Sequence, residues 1–223
     1  MLALIGGTVF AERGFIGRTR KVETEYGDAT VVEKDGLFFI QRHGGGGVPP
    51  HRINHRANVR ALKDLGATVV IGVGSSGSLK RDIPVGSIVV PDDCMSFGQL
   101  PTFHDEDICH VVPALDEKLR VNILAAAKKA GVKVIDGGVY AQTHGPRLET
   151  KAEVRMLKRY ADLVGMTLAS EATLCSEINL PYAAICSVDN LAHGLAKKEP
   201  DFAEIKKKSA ENAVKIKKIM ENI

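Results

Sequence analysis

The chain has few cysteines, and none is paired in sequence: Cys94, Cys109, Cys175 and Cys186 form no C-x-x-C unit and sit in no histidine-rich spacing. That arrangement supplies neither a zinc ribbon nor a disulfide framework, and it suits a reducing, cytoplasmic setting. No apolar run approaches the roughly 20 residues that span a bilayer, so a membrane is not expected as a partner. The apolar start Met1–Ile5 lacks a basic leader and runs straight into Gly6, Gly7 and Thr8. It is too short for a signal-peptide core and reads as a buried first strand. An excess of one charge sign is missing too, the formal net charge being +3. The clearest cationic run, Lys206 to Lys208 followed by Lys215, Lys217 and Lys218, lies in a segment of helical apolar spacing. No aromatic residues interleave with it to stack on bases, so it reads as a solvated helix face and nucleic acid is not expected as a partner.

What is present is ordinary globular material. With 223 residues, 44% of them hydrophobic and 26% charged, the chain is long enough to bury its own core as one domain, residues 1–223. Turn signals at Tyr26-Gly27-Asp28 and Asp35-Gly36 separate short strands, the last of them Leu37–Gln41. Ala57, Ala61, Leu62 and Leu65 place a helix over 54–65, closed by Gly66, with a buried strand Thr68–Val73 behind it. Residues 92–113 read as a long ordered loop. Helices Asp116–Ala130, Thr150–Tyr160 and Ala169–Ile178 then alternate with strands Val132–Val139, Asp162–Met166 and Tyr182–Ser187. A last helix starts near Pro200 with an apolar stripe of Phe202, Ile205, Ala213, Ile216 and Met220. The predicted class is α/β, a single-domain mixed central β-sheet flanked by helices.

Gly72-Val73-Gly74-Ser75-Ser76-Gly77 matches G-x-G-x-x-G and follows a strand, yet Pro84, Gly86 and a new strand at Ile88–Pro91 arrive almost at once. A dinucleotide fold needs a crossover helix there, and there is no room for one. The glycines then read either as a small-residue turn whose backbone N–H groups form a phosphate nest, or as a purely structural tight turn. Gly6-Gly7-Thr8 and Arg42-His43-Gly44 close two other strands. Ligands of open α/β sheets collect beyond strand carboxyl ends, and a threonine hydroxyl, an arginine and a histidine are natural phosphate donors there.

These segments, together with Gly145-Pro146-Arg147-Leu148-Glu149-Thr150, Gly165-Met166-Thr167 and Ser187-Val188-Asp189-Asn190, resemble the purine nucleoside phosphorylase and methylthioadenosine phosphorylase family, in order and over nearly the whole chain. The resemblance implies that Thr8, Arg42, His43, Ser75 and Thr167 hold phosphate, that Met166 lies against the ribose, that Leu148 packs on the purine and that Asn190 addresses the base. Leu148 stands where many relatives carry Phe, and Glu149 matches an acidic purine contact of one branch. The tract Gly44–His51 is one residue shorter than in many relatives. The resemblance also implies a homo-oligomer, a trimer or hexamer, in which His110 reaches a neighbour's site.

The implied chemistry is attack of a phosphate oxygen on the anomeric carbon as the glycosidic bond stretches. Inorganic phosphate is the co-substrate, and no metal or other cofactor is called for. Arg42, His43 and Asn190 are the candidate catalytic residues: the first two orient the nucleophile, and Asn190 donates to the departing purine. Adenine-preferring relatives carry Asp at the Asn190 position and a second Asp where this chain has Ala192. Their absence points to 6-oxopurines, and the pattern resembles S-methyl-5′-thioinosine phosphorylases. A general inosine/guanosine phosphorylase, a methylthioadenosine phosphorylase, a water-using nucleosidase and a non-catalytic nucleotide-binding protein are the other readings. The bland alternative for Asn190 is a local cap.

Overall fold

Eleven strands hydrogen-bond into one mixed sheet in this computed structural model, which describes residues 1–10, 16–45, 47–196 and 201–223. The strands are β1 (Leu2–Gly6), β2 (Arg18–Thr24), β3 (Gly27–Lys34), β4 (Leu37–Gln41), β5 (Val69–Ser78), β6 (Ile88–Val90), β7 (Asp93–Ser96), β8 (Ile135–Asp136), β9 (Val139–Gln142), β10 (Leu163–Gly165) and β11 (Tyr182–Leu191). Five helices cover it: α1 (His55–Asp64), α2 (Glu117–Lys129), α3 (Lys151–Leu157), α4 (Leu168–Glu177) and α5 (Phe202–Met220). Pro200 and Gly46 lie outside the described residues.

The period of two along the strands decides which helix packs where. Ala3, Ile5, Val70, Ala184 and Cys186 face α1 and α4, meeting Ala57, Leu62, Ala172 and Leu174. Their alternates Leu4, Ile71, Val73, Ala183 and Ile185 face α2 and α5, meeting Leu119, Ile123, Ile216 and Ile219. A smaller cluster seats α3 through Val154 and Leu157 against Leu79, Ala141, Val164 and Ala192. Caps fix the helix ends. Asn54 accepts from Ala57 N–H at 3.0 Å, Asp116 from Leu119 N–H at 2.7 Å, and Thr150 with Glu153 forms a capping box.

Several boundaries differ from the sequence reading. The stretch expected as strand Val132–Val139 is split into β8 and β9 by Gly137 and Gly138, both at positive φ, where a left-handed kink suits only glycine. The long loop 92–113 contains β7, which pairs in parallel with β9. Phe202 is 76% exposed and does not join the apolar stripe of α5, while Ser209 and Asn212 are fully buried on it. Lys206, Lys207, Lys215, Lys217 and Lys218 are exposed on α5, as a solvated face requires.

The largest correction concerns the glycines. Gly74 to Ser78 form no turn; they continue β5 and pair with β11 up to Leu191↔Ser78. Small residues are needed there because large neighbours approach the strand. A Cβ on Gly72 would collide with the Tyr182 hydroxyl and stand 2.7 Å from Glu171 Oε2, one on Gly74 would meet Leu168 at 3.1 Å, and one on Gly77 would meet Asn190 Nδ2 at 3.3 Å. Gly72→Ala is therefore expected to destabilise the fold by about 1–3 kcal/mol or more, as overpacking against a rigid buried ring does. Chemical denaturation of that variant checks it.

Candidate active site

The sheet itself opens the site. β11 follows one edge of β5 from Tyr182↔Val70 to Leu191↔Ser78. On the other edge β1 pairs in parallel only as far as Gly6↔Val73, and β10 pairs antiparallel only at Val164↔Gly77 and Leu163↔Ser78. Gly74, Ser75 and Ser76 are thus bare of strand partners on that edge, at a seam where a parallel half-sheet meets one of opposite sense. The usual ligand position of α/β sheets, beyond the strand carboxyl ends, is offered here by β1, β4 and β5 together, all mutually parallel.

The sequence-predicted phosphate residues gather at this seam. Gly7 lies so close to the β4 end that a Cβ on it would be 2.7 Å from Arg42 Nη1 and 3.2 Å from His43 Nε2. Thr8 follows, half-buried, in a short 3-10 turn. Leu168, at the start of α4, covers Gly74, which brings the preceding Thr167 to the bare stretch of β5. Thr167 is buried, and although it occupies the helix N-cap its side chain makes no capping bond, leaving the hydroxyl for a ligand. The helix amides are less available: Thr167 N–H donates to the Tyr140 hydroxyl at 3.2 Å, and Ser170 N–H donates to Gln142 Oε1 at 3.0 Å. The Ser75 side chain turns toward Asp189, so the group it offers at the seam is its backbone.

Arg42 is anchored from below by a residue the sequence reading missed. Its Nε and Nη2 both donate to the Glu171 carboxylate, the second at 3.0 Å, while Nη1 donates to Val73 O at 2.9 Å and Nη2 to Ile5 O at 3.2 Å. Burial works against the guanidinium charge, but Glu171 more than offsets it, so the Arg42 pKa is raised. Glu171 is itself fully buried and also accepts from the Tyr182 hydroxyl at 2.8 Å. Four of the five guanidinium hydrogens are taken in this way. One Nη1 hydrogen remains, on the side of Gly7. The signal in the sequence was a lone acid inside the apolar run Leu168 to Cys175, and its partner, 129 residues away, was not legible.

His43 and His55 are both held neutral. Burial lowers the His43 pKa, and its Nδ1 lies 2.8 Å from Val48 O, an acceptor only, so the proton sits on Nδ1 and Nε2 keeps its lone pair. Nε2 is then an acceptor on the side of Gly7. Burial, with Arg42 and His43 nearby, pushes His55 down to about 3. His55 and Met166 border a cavity of about 160 Å³, whose wall also includes Ser96, Gln142 and His144.

Of the residues expected to address the base, Asn190 lies at the far end of β5. Asn190 pairs level with Gly77, and its Nδ2 donates to Leu191 O at 2.9 Å. Val164 packs beside both. Gly145 folds against Met166, so close that a Cβ there would be 2.5 Å from Met166 Sδ, and this delivers Leu148 and Glu149. Glu149 is buried and accepts from Thr143 Oγ1 at 2.7 Å, while its backbone carbonyl meets His193 Nδ1, just past Asn190, at 3.2 Å. Leu148 is exposed, and Arg147 is spent on Glu153 at the start of α3. Ala192 donates its N–H to Ser78 O at 2.8 Å and packs with Leu79, Val154, Leu157 and Val164, and His110 is exposed on the 97–113 segment.

Comparison with known proteins agrees with this fold. The model of the phosphorylase superfamily matches residues 2–223. A probable 6-oxopurine nucleoside phosphorylase of Archaeoglobus fulgidus is 44% identical over 99% of this chain and 94% of its own. A probable S-methyl-5′-thioinosine phosphorylase of Methanocaldococcus jannaschii is 36% identical over 100% of this chain and 91% of its own. Among solved structures, methylthioadenosine phosphorylase from Schistosoma mansoni in complex with adenine superposes with a TM-score of 0.91 at 26% identity, covering 98% of this chain and 89% of that one.

Proposed function

The chain belongs to the phosphorylase superfamily, and on that footing we propose that it is a purine nucleoside phosphorylase acting on 6-oxopurine nucleosides. The observation that supports the base preference is Asn190, level with Gly77 at the end of β5; Glu149, buried and accepting from Thr143, is linked to this end of the strand through its backbone carbonyl and His193. A 6-oxopurine presents N1–H as a donor and O6 as an acceptor, which a carboxylate and an amide N–H respectively satisfy. Adenine presents an N1 lone pair, which a carboxylate cannot serve, and an amino group, which only the Asn190 oxygen can accept.

Phosphate enters at the seam between Gly7, Arg42, His43, the bare edge of β5 and Thr167. One of its oxygens attacks C1′ as the C1′–N9 bond breaks, and the bonding electrons pass into the purine ring. Asn190 donates to the O6/N7 edge as negative charge gathers there, and the phosphate charge lies beside the cationic sugar. Phosphate is the co-substrate, and the proposed chemistry requires no metal or organic cofactor. The substrate we favour is S-methyl-5′-thioinosine, giving hypoxanthine and 5-methylthioribose 1-phosphate. The second reading, a general inosine/guanosine phosphorylase, draws support from the cavity beside Met166, where Ser96 and His144 offer polar groups to a 5′-hydroxyl alongside the apolar Ile53, Leu100 and Pro101.

The proposed working form is a trimer or hexamer. His110 is exposed, and the same segment exposes Phe97, Ile108 and Val112, apolar surface that a second copy would cover. No described helix is long and apolar enough to cross a membrane, and the four unpaired cysteines fit a cytoplasmic setting. Incubation with inosine tests the reading: hypoxanthine and ribose 1-phosphate are expected only when phosphate is supplied, from a species that sediments as an oligomer. Free ribose released without phosphate would identify a nucleosidase, and a fully active monomer would remove His110 from the site.

A further inference from the structure

Asp189 lies next to Asn190, is 3% exposed, and takes no part in the chemistry described above. It marks a break in the sheet register. β11 pairs Val188 with Ser76 and then Asn190 with Gly77, leaving Asp189 without an opposite residue, which is a β-bulge. In an unbroken strand Asn190 would share a face with Val188, which packs into the α1/α4 core. The extra residue shifts the alternation by one and turns Asn190 level with Gly77, beside Val164.

The bulge is held from both sides. Gly86 N–H donates to Val188 O at 2.8 Å, and Val188 N–H donates to Ser87 O at 3.0 Å. Below the sheet, Ser187 Oγ donates to Asp189 Oδ1, and Asn212 Nδ2, from the buried face of α5, donates to Ser187 Oγ at 2.9 Å and reaches Asp189 Oδ1 at 3.5 Å. Lys215 completes the chain, donating to Asn212 Oδ1 at 2.9 Å and Gly86 O at 2.7 Å. The hydroxyls of Ser75 and Ser209 face the same carboxylate, whose pKa is raised by burial. Asp189 Oδ2 still makes no full hydrogen bond. An apolar contact between β11 and α5 would avoid that desolvation, so what the polar network contributes is position.

We propose that Asp189 is a positioning residue for base recognition: tied to α5 through Ser187 and Asn212, it holds the bulge that aims Asn190 at the purine. This rests on the reading of Asn190 as the base contact and adds that the contact depends on the docked C-terminal helix.

The test compares Asp189→Ala, Asn190→Ala and the double variant with inosine and adenosine, followed by a phosphate titration of each. Asp189→Ala is expected to lower kcat/KM for inosine by about 100-fold, the loss that a displacement of about 1 Å produces. The inosine-to-adenosine ratio should narrow, and the phosphate KM should stay within about twofold, since uniform damage would move both. The double variant should be no worse than Asn190→Ala, because coupled residues are not additive. Asp189→Asn, whose Oδ1 can still accept from Ser187, should recover most of the activity. Asn212→Ala should shift the ratio in the same direction, and it carries the test if Asp189→Ala fails to fold. Unchanged selectivity in folded Asp189→Ala, additive losses, or an equal rise in phosphate KM would overturn the proposal. Selectivity kept in Asp189→Ala but lost in Asn190→Ala overturns the positioning alone, whereas selectivity kept in Asn190→Ala overturns the base-site reading beneath it.

Discussion

Arg42→Ala is expected to lose stability and phosphate use together, because one guanidinium serves both. Removing it leaves the Glu171 carboxylate buried without its counter-ion, which costs about 3–5 kcal/mol, a large share of the roughly 5–15 kcal/mol that holds a typical domain. At the seam it removes a charged donor from the nucleophile, worth about 2–4 kcal/mol of transition-state stabilisation by analogy with other site donors. The two effects separate in a triple variant, Arg42→Met with Glu171→Leu and Tyr182→Phe, which replaces the buried polar set by apolar volume. Denaturation midpoints should return most of the way toward the parent, since such replacements are often neutral. The phosphate KM should stay high and turnover low. A refolded triple variant with the parent's phosphate dependence would place Arg42 outside the site.

Exchanging Glu149 and Asn190, the groups proposed to face the base, is expected to change which purine is accepted. Glu149→Gln replaces an acceptor-only group by an amide that can also donate, so adenine's N1 lone pair gains a partner. Asn190→Asp places a carboxylate where the 6-amino group and a protonated N7 can donate. Each mismatched buried group costs about 1–3 kcal/mol, so the two changes together should move the inosine-to-adenosine ratio of kcat/KM by about 100-fold or more. Steady-state kinetics on both nucleosides measures it. The sequence had suggested Ala192→Asp as the companion change. Ala192 is buried with Leu79, Val154, Leu157 and Val164, so that substitution would also bury a carboxylate in apolar surroundings, and the exchange is made at Glu149 instead. A ratio that does not move in the Glu149→Gln, Asn190→Asp protein would take both residues away from the base.

Periodicity and turn chemistry made most of the architecture legible. The helix closed by Gly66, the capped starts at Asp116 and Thr150 and the buried strands at the start of the chain and at Tyr182 all depend on local signals. β5 was misread beyond Val73 because glycine and serine mark a turn when nothing large surrounds them. Here Tyr182, Leu168 and Asn190 press on the strand from other elements, and only the fold shows that. The site divided along the same line. Thr8, Arg42 and His43 were legible as polar groups at strand ends, and Thr167 through a motif that resembles a known family. Glu171, which fixes Arg42 across 129 residues, and the Asp189 bulge, which turns Asn190, are long-range pairings that no local pattern encodes.

The measurement that bears most directly on the whole reading is a competition: inosine and adenosine at equal concentration, with inorganic phosphate limiting, and the free bases followed over time. Hypoxanthine should appear, stop at the phosphate supplied and resume on adding more, with adenine scarcely released. Adenine released as fast as hypoxanthine, or hypoxanthine formed beyond the phosphate available, would contradict it.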